Sequence, residues 1–365
     1  MTTSTPARTE PTSSRNAQVE TSGIKPGRIS QALHAGILIG SVLLALGLLY
    51  VFGTVSLFPL LMLGAAIYLV VIYVVGRAIE GRRHGLDRFV TGLVTTFFLM
   101  ALIPLLSVIW TVVSKGLARF DAEFFTWSMR GVLGEGGGAY HAIMGTLIIT
   151  GITTLLSVPI GIFAAIYLVE YGQKGRLAKA LTFFVDVMTG IPSIVAGLFA
   201  VALFTLFLGP GARMGIIGSV ALMVLMIPVV VRSTEEMLRL VPNELREASY
   251  ALGVPKWLTI SKVVLPTAAA GIGTGVTLAI ARVIGETAPL LVTVGTTTNL
   301  NVNPFDGRMQ TLPVFAYYSY ATPGIPREAF TERMWAAVLT LMLIVMTLNI
   351  IARLISKFFA PKTGR

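Results

Sequence analysis

Eight long apolar stretches dominate the amino-acid sequence and restrict what it can fold into. Each is close to the ~20 residues that an α-helix needs to cross the hydrocarbon core of a bilayer. Because backbone polar groups inside a bilayer must find partners within the protein, such stretches form helices rather than open strands. The sequence therefore predicts an all-α integral membrane protein, a polytopic helical bundle with about 8 transmembrane helices. The predicted spans are residues 35–52, 56–75, 89–113, 142–169, 180–208, 215–231, 263–294 and 334–352.

Composition agrees with a membrane protein. Only 12% of the 365 residues are charged and 55% are hydrophobic, whereas a soluble domain carries about 25% charged residues. The formal net charge of +11 would suit a nucleic-acid-binding protein, but the enrichment of Lys and Arg in cytoplasmic loops explains it better. We therefore expect no nucleic-acid partner. The chain has no cysteine, and its three histidines lie near the ends of different apolar stretches, so neither disulfides nor a metal site is expected.

The charges between the predicted spans indicate how the chain is oriented. Basic segments 76–88, 170–179 and 232–262 fall on one side, and an even number of spans puts both termini on that side too. The positive-inside rule makes this side cytoplasmic. The Gly-rich segment 114–140 and residues 295–333 are then outer loops. Because the sequence contains no GxxxxGK[ST] motif, we expect these glycines to form a flexible loop rather than a phosphate cradle.

The first residues of the chain differ in character from the rest. Residues 1–30 are rich in Ser, Thr and Pro without a hydrophobic period, which predicts a disordered cytoplasmic tail. The first two spans are joined by a very short turn. They predict a transmembrane hairpin that, with its basic loop, covers residues 31–88. At the other end, residues 356–365 are predicted to form a basic cytoplasmic tail.

Charged residues in or beside the spans are the candidate functional residues, because a charge at membrane depth is costly and usually has a role. Arg282 and Glu286 lie four residues apart and are predicted to share one helix face. Arg232 ends the sixth span. A guanidinium presents a planar fork of donors to phosphate oxygens, so Arg232 and Arg282 are predicted to bind the anion along a path. Glu286 is predicted to lie on the same path and to moderate the charge of Arg282. The alternatives are a structural ion pair for Arg282 and an interfacial position for Arg232.

The fifth span contains a predicted helix break. Gly190 and Pro192 lie in the sequence GIPS, and Pro removes a backbone donor and clashes with the preceding turn. Broken helices at membrane depth are tolerated where they are buried in protein or line a cavity. Asp186, one turn earlier, is expected to cap or pack the broken segment rather than to bind a ligand.

A polar stretch between the sixth and seventh spans predicts a short amphipathic helix. Pro242 suits its first turn and Gly253 its C-terminal end. Leu245, Ala248 and Leu252 fall on one face. Such a helix either docks on a partner protein or lies on lipid headgroups.

The same stretch resembles the EAA loop of ATP-binding-cassette importer permeases, the cytoplasmic element that docks on the ATPase subunit. It reads E-A-S at 247–249, three residues, a glycine, nine residues, Val263, one residue, and then Leu-Pro. Ser249 and Val263 stand where the family more often has Ala and Ile. The family implies an ATPase-coupling role for Glu247, Ala248, Ser249, Gly253, Leu265 and Pro266.

Four other blocks resemble the A-type permease subunit of phosphate importers. They are VPIGIFAAIYLVEYG (158–172), GIPSIVAGLF (190–199), VVRSTEEMLRLVP (230–242) and ARVIGETAPLLVTVG (281–295). Together the resemblance covers residues 138–355. It implies a permease domain of the type I importer class over these residues. Residues 89–137 would be the first core helix and an outer loop, completing a six-helix core, and residues 31–88 an added module.

The resemblance also implies a function. The chain would be the permease subunit of an ATP-driven importer of inorganic phosphate in the cell membrane, and would itself catalyse no reaction. The implied partners are a C-type permease subunit, two ATP-binding subunits that use ATP, and an extracellular or periplasmic phosphate-binding protein. No cofactor is expected on this chain. The alternatives are a permease for sulfate or molybdate, and a stand-alone secondary transporter or channel.

Overall fold

The computed structural model describes residues 30–172 and 175–359, without the side chains of residues 352 and 355–359. Nearly all of the predicted tail 1–30, and the end of the predicted tail 356–365, lie outside these ranges. Within them every regular element is helical, which confirms the predicted all-α class. Among these described residues, seven helices are long and apolar enough to cross a membrane, and a bent helix pair gives an eighth if it counts as one span. The chain divides into two compact units, Met1–Ser107 and Val108–Arg365.

The first unit contains helices α1 (Gln31–Val51) and α2 (Leu57–Glu80) and most of α3 (Arg82–Gly116). The Ser30 side chain caps α1 by accepting a hydrogen bond from the Leu33 amide. The basic segment 76–88, predicted to be a loop, is instead helical except at Gly81. Its Arg, Leu and Glu residues favour helix, and only Gly81, with φ of 86°, interrupts it.

The second unit begins with the end of α3 and the short helix α4 (Ala122–Thr126). The Gly-rich loop that follows was predicted to be flexible, and this prediction is wrong. Arg333, from the last helix, donates from Nη1 to the carbonyl oxygens of Gly134 (2.8 Å) and Gly136 (2.6 Å). Arg119 donates to the carbonyl of Gly137 at 2.7 Å. The buried Arg333 and the partly buried Arg119 therefore fix this loop through backbone carbonyls that a glycine run leaves accessible.

Helix α5 (Tyr140–Ile166) continues as one π-helical turn, Tyr167–Tyr171. Helices α6 (Arg176–Gly190) and α7 (Ser193–Leu208) follow, and the chain bends by 113° between them. The break lies at the GIPS sequence. Pro192 precedes the first turn of α7, where its missing donor and fixed φ are tolerated.

Helix α8 (Gly215–Arg239) is the centre of the second unit and packs against α5, α6 and α7. Hydroxyl groups bring it close to α5. Thr153 Oγ1 donates to the Ile149 carbonyl of its own helix (2.8 Å) and lies 3.3 Å from the Ser219 carbonyl, and Ser219 Oγ lies 3.3 Å from the Ile149 carbonyl. The sixth span was predicted to end at Arg232, but α8 continues for two more turns. The sequence from 233 to 239 contains no Gly or Pro, so nothing stops the helix before Pro242.

The segment after α8 holds α9 (Asn243–Ala251) and α10 (Lys256–Thr259), which runs through a π-helical turn into α11 (Leu265–Ile284). A short helix, α12 (Ala288–Thr293), follows. The predicted span 263–294 is therefore broken after Ile284. Pro289 explains the break, because its ring would clash with the carbonyl four residues earlier and it offers no amide proton.

The last elements are α13 (Leu312–Ala321) and α14 (Arg327–Phe359). Residues 295–333 were predicted to be only an outer loop, but α13 lies within them. Leu312 and Phe315 are buried against α5 and α14. The aromatic and aliphatic residues of this segment thus form a packed cap rather than an exposed loop.

Small residues set the closest helix contacts in the second unit. A Cβ atom added at Gly271 would lie 2.2 Å from Met237 Sδ, and one at Gly275 would lie 2.5 Å from Ser233 Oγ. These two glycines form a GxxxG pair on α11, and the prediction that they serve tight helix packing is confirmed. They bring α11 directly against the C-terminal half of α8.

Two glycines of α5 offer a matched test of how closely backbone segments pack within the second unit. A Cβ at Gly145 would lie 2.1 Å from the Gln310 carbonyl oxygen, whereas one at Gly151 would meet nothing within 4 Å. Gly145→Ala should lower the free energy of unfolding by about 1–3 kcal/mol because the backbone must move. Gly151→Ala should be neutral or slightly stabilising, since Ala favours helix. Thermal unfolding of the purified complex measures both, and equal shifts would contradict the packing described.

Candidate functional site

Arg232 lies at the centre of an ion-pair network that joins α6 to α8. Its guanidinium contacts the Asp186 carboxylate through Nη2 and Glu235 Oε2 through Nη1 at 2.8 Å. Glu235 also pairs with Arg239 at 2.8 Å and is itself buried. Arg232 is therefore inside a helix and neutralised by carboxylates, not at a helix end as the sequence analysis placed it. Through this ion pair the Asp186 side chain, which is 60% exposed, links the end of α6 to α8.

Arg282 has a different environment. It lies in the last turn of α11 with an exposed side chain. Among the described residues, no carboxylate oxygen lies within the 4.0 Å of an ion pair. Glu286 is half-buried and lies beyond the end of the helix, so the two residues do not share a helix face as predicted. The break before Pro289 separates them.

Glu286 connects the two helix breaks of this unit. Its carboxylate lies near the Ser193 hydroxyl at the start of α7 and near the Arg282 guanidinium. Next to it α7 and α12 touch through backbone, since a Cβ at Gly197 would lie 2.7 Å from Pro289 Cα. The two breaks therefore lie side by side, with one exposed cation and one half-buried carboxylate beside them. Irregular backbone of this kind is tolerated at membrane depth where it is enclosed by protein or lines a cavity.

The segment predicted to couple to an ATPase presents two kinds of residue. Glu247 and Ala248 are exposed on α9, as are its neighbours Leu245 and Leu252, with 41% and 83% of their surface accessible. Ser249 is buried, and its hydroxyl bonds to that of Thr259 at 2.8 Å.

The two ends of this segment are also defined. Gly253 has φ of 74°, which confirms the left-handed conformation expected just past the end of a helix. Leu265 is half-buried and Pro266 exposed, and both open α11. The segment thus presents an exposed apolar face with Leu245 and Leu252. On its other side, Ser249 holds α9 against α10.

An anchor for α9 was missed by the sequence analysis. Arg246 binds Glu170 Oε1 through Nε (3.1 Å) and Nη2 (2.9 Å), and donates to the carbonyls of Val241 (2.6 Å) and Leu238 (2.9 Å). The Arg246 and Glu170 side chains are only 12% and 6% exposed. Lys256 adds a bond to the Glu170 carbonyl. These contacts fix α9 to the π-helical turn at the end of α5.

A polar cavity of about 1030 Å³ lies between this anchor and the Arg232 network. Its wall carries charged residues of both signs from α6, α8 and α9 and from the segments on either side of them. Its charged lining residues are Glu170, Lys179, Asp186, Glu235, Arg239, Arg246 and Lys256.

Comparison with known proteins shows that the chain is similar to transport proteins. A family model described as "Binding-protein-dependent transport system inner membrane component" matches residues 157–365. The phosphate transport system permease protein PstA 1 of Mycobacterium tuberculosis is 47% identical over 295 residues, covering 80% of this chain and 94% of that protein. The phosphate transport system permease protein PstA of Pasteurella multocida is 40% identical over 258 residues, covering 70% and 88%.

A solved structure is also similar. The MetNI methionine ABC transporter in an inward-facing conformation matches with a TM-score of 0.48 and 19% identity. The match covers 61% of this chain and 95% of that chain.

Proposed function

The chain belongs to the family of binding-protein-dependent transport system inner membrane components, and we propose that it is the permease subunit of an ATP-driven importer of inorganic phosphate. One observation carries this proposal: proteins named as phosphate transport permeases align along nearly their whole length, at up to 47% identity. The blocks that resemble A-type permeases in the sequence point the same way. The chain is thus an inner membrane component with several membrane-spanning helices.

The proposed assembly contains further subunits. A related C-type permease would complete the translocation path, two ATP-binding subunits would dock inside, and a phosphate-binding protein would deliver the anion outside. The exposed apolar face of α9, with Leu245 and Leu252, supports docking of a partner protein, because an exposed apolar face on an anchored helix favours a protein contact. ATP would be hydrolysed by the partners, and this chain would hold no cofactor.

We propose that both termini lie in the cytoplasm. Arg77, Arg82 and Arg83 flank the junction of α2 and α3, and Lys179 and Arg239 lie near α9. Excess Lys and Arg in short segments marks the cytoplasmic side of a membrane protein. This orientation puts α9 where an ATPase can reach it.

The continuous helical segment Lys256–Ile284, from α10 to α11, would transmit movement of the ATPase to the anion path. α9 is anchored next to its start at Lys256, and Arg282 lies near its other end. At 1.5 Å per residue these two positions are about 39 Å apart, more than the hydrocarbon thickness of a bilayer. A displacement of α9 would therefore shift the exposed guanidinium of Arg282 relative to the two helix breaks. Phosphate would bind there by charge-assisted hydrogen bonds and leave when the geometry changes.

Uptake measurements test this function. Cells that lack their own phosphate permeases should regain uptake of radiolabelled phosphate when this chain is produced with its partner permease, ATPase and binding protein. Sulfate and molybdate in tenfold excess should not compete, because a phosphate site would bind them poorly. A site for a different oxyanion would instead prefer them. An ATPase variant that cannot hydrolyse ATP is the control and should abolish uptake. Competition by sulfate would assign another oxyanion, and uptake without ATP hydrolysis would indicate a stand-alone transporter.

A further inference from the structure

One exposed face of helix α11 has hydroxyl groups in line with a guanidinium. Thr267, Thr274 and Arg282 are all exposed on this helix. They follow one another at intervals of seven and eight residues, each close to two helical turns, so they lie on one face. The hydroxyls therefore continue the line of the Arg282 guanidinium toward the start of α11.

The composition of this face does not suit contact with lipid. Over residues 265–284, all of which the structure describes, Leu278 is the only large apolar side chain that is exposed. On α7, in contrast, the exposed side chains include Leu198, Phe199 and Leu206. Large apolar side chains suit acyl chains, whereas a permanent charge at membrane depth is costly and rarely faces them. The α11 face, which includes a guanidinium, therefore faces a hydrated path rather than lipid.

The two threonines present hydrogen-bond acceptors on this face. Thr274 Oγ1 donates to the Ala270 carbonyl at 2.9 Å, and Thr267 Oγ1 donates to the Val263 carbonyl at 2.6 Å. A hydroxyl group has one proton and two lone pairs. Because each proton is used within the helix, each oxygen is left as an acceptor toward the exposed side. The face thus has a cation near one end and acceptors along the rest.

Acceptors of this kind discriminate between oxyanions. Inorganic phosphate keeps at least one proton at neutral pH, so it can donate a hydrogen bond to a threonine oxygen. Sulfate and molybdate have no proton under these conditions and bring only further acceptors. An acceptor that faces only another acceptor in a poorly hydrated path is left unsatisfied, which is costly. The face therefore favours a protonated oxyanion.

The hydroxyls also lie where an anion would leave the charged site. Thr274 is about 12 Å and Thr267 about 22 Å from Arg282 along the helix, and no residue from 263 to 281 is charged. An anion is thus passed to groups that hold it weakly, as a transport path requires. We propose that Thr274 and Thr267 line the inner half of the phosphate path and select a protonated oxyanion by accepting its hydrogen bond. This inference rests on the proposed function and orientation.

Cysteine accessibility tests whether this face lines a hydrated path. Because the chain has no cysteine, Thr274→Cys gives it a unique thiol. The complete complex, whose wild type has been shown to take up phosphate, is placed in lipid nanodiscs and treated with sulfonatoethyl methanethiosulfonate. Modification of this chain is followed by mass spectrometry. Phe199→Cys is the matched control, because Phe199 is also exposed but lies among apolar side chains of α7.

Thr274→Cys should react at least about tenfold faster than Phe199→Cys, since the reactive thiolate forms in water and not in an apolar environment. Equal rates would show that Thr274 faces lipid or a packed helix, and the path lining would be wrong. The proposed function would stand in that case, because the wild-type complex takes up phosphate.

Protection by anions tests the selection. Leu278→Cys places the thiol one turn from Thr274 and leaves both threonines intact. Phosphate should slow its modification at least about threefold more than sulfate does at equal concentration, as expected for one additional hydrogen bond. Adding Thr274→Val should remove this difference, because Val has a similar shape but no hydroxyl oxygen. Thr205→Val, which removes a hydroxyl bonded to its own helix on α7, is the control and should preserve it.

Two results would overturn the selection by hydroxyl acceptors. One is equal protection by phosphate and sulfate in Leu278→Cys alone. The other is a difference that persists undiminished when Thr274→Val is added. Stronger protection by sulfate than by phosphate would instead contradict the proposed function itself.

Discussion

Arg246→Ala is expected to reduce ATP-driven phosphate uptake more than tenfold while the chain still inserts into the membrane. The substitution removes the bonds to Glu170 and to the carbonyls of Leu238 and Val241. It leaves the buried Glu170 carboxylate without its guanidinium partner. Breaking a buried pair in this way costs about 3 kcal/mol or more, which corresponds to more than a hundredfold change in an equilibrium. The conformation in which α9 is anchored would then no longer be the most populated one. Movement of an ATPase bound to α9 would not be transmitted to α11.

Arg239→Ala is the matched control for this experiment. Arg239 also pairs with a carboxylate at 2.8 Å, but its side chain is 68% exposed, and exposed pairs contribute little to stability. Its removal should change uptake less than twofold. Uptake and ATPase activity are measured per assembled complex in membrane vesicles. If Arg246→Ala transports as well as Arg239→Ala, α9 does not need its anchor and the proposed transmission is wrong.

Ala248→Trp separates anchoring from docking. Ala248 is exposed on α9, so a Trp there leaves the Arg246 contacts intact and obstructs only a partner. The ATPase should fail to co-purify with this variant. With Arg246→Ala, in contrast, the ATPase should be retained in part but hydrolyse ATP without transport. Co-purification of a normal amount of ATPase with Ala248→Trp would contradict docking on this face.

The helical class and the positions of the spans follow from the sequence because a bilayer imposes length and polarity on every segment that crosses it. Local signals also worked where one residue decides the backbone, as at Pro192 and Gly253. The predicted end of a span was wrong where the segment that follows contains no Gly or Pro to stop the helix. α8 continues past Arg232 because residues 233–239 contain no Gly or Pro and 235–239 are good helix formers, and hydropathy does not report the end of a helix that leaves the apolar region.

The contacts that organise the candidate site could not be predicted, because they join residues far apart in sequence. Glu170 and Arg246 are 76 residues apart, and each looks like an ordinary charge in a cytoplasmic segment. Arg232 and Asp186 are 46 residues apart. The prediction of a shared helix face for Arg282 and Glu286 was based on their spacing. It failed because Pro289, three residues further on, ends the helix between them.

The two helix breaks give the proposed path its distinctive chemistry. The α6–α7 break places the start of α7 beside Glu286, and the α11–α12 break releases Glu286 from the helix that carries Arg282. Arg232, by contrast, already has two carboxylate partners, and an additional anion would have to compete with both. Of the two predicted arginine ligands, Arg282 is therefore the one whose donors are available to phosphate. Its substitution should have the larger effect on uptake.

Arg282→Gln is expected to lower phosphate uptake more than a hundredfold. A unit charge 4 Å from an anion contributes about 4 kcal/mol at the effective dielectric constant near a protein surface, and Gln retains hydrogen bonding but not this charge. Arg282→Lys should retain measurable uptake, since an ammonium still attracts phosphate but lacks the planar fork. Arg176→Gln is the control, because Arg176 is another exposed helix arginine, at the start of α6. It should transport within twofold of wild type.

The double variant Arg282→Gln with Glu286→Gln decides between a substrate role and a structural role. If Arg282 served mainly to balance Glu286, neutralising both would remove the unpaired charge and restore transport. Because no ion pair joins the two in the described part of the chain, we expect the double variant to assemble and to stay inactive. Radiolabelled phosphate uptake is measured together with the amount of assembled complex in the membrane. Recovery of uptake in the assembled double variant would make Arg282 a structural partner of Glu286. Continued inactivity would mean that the positive charge is needed by the anion itself.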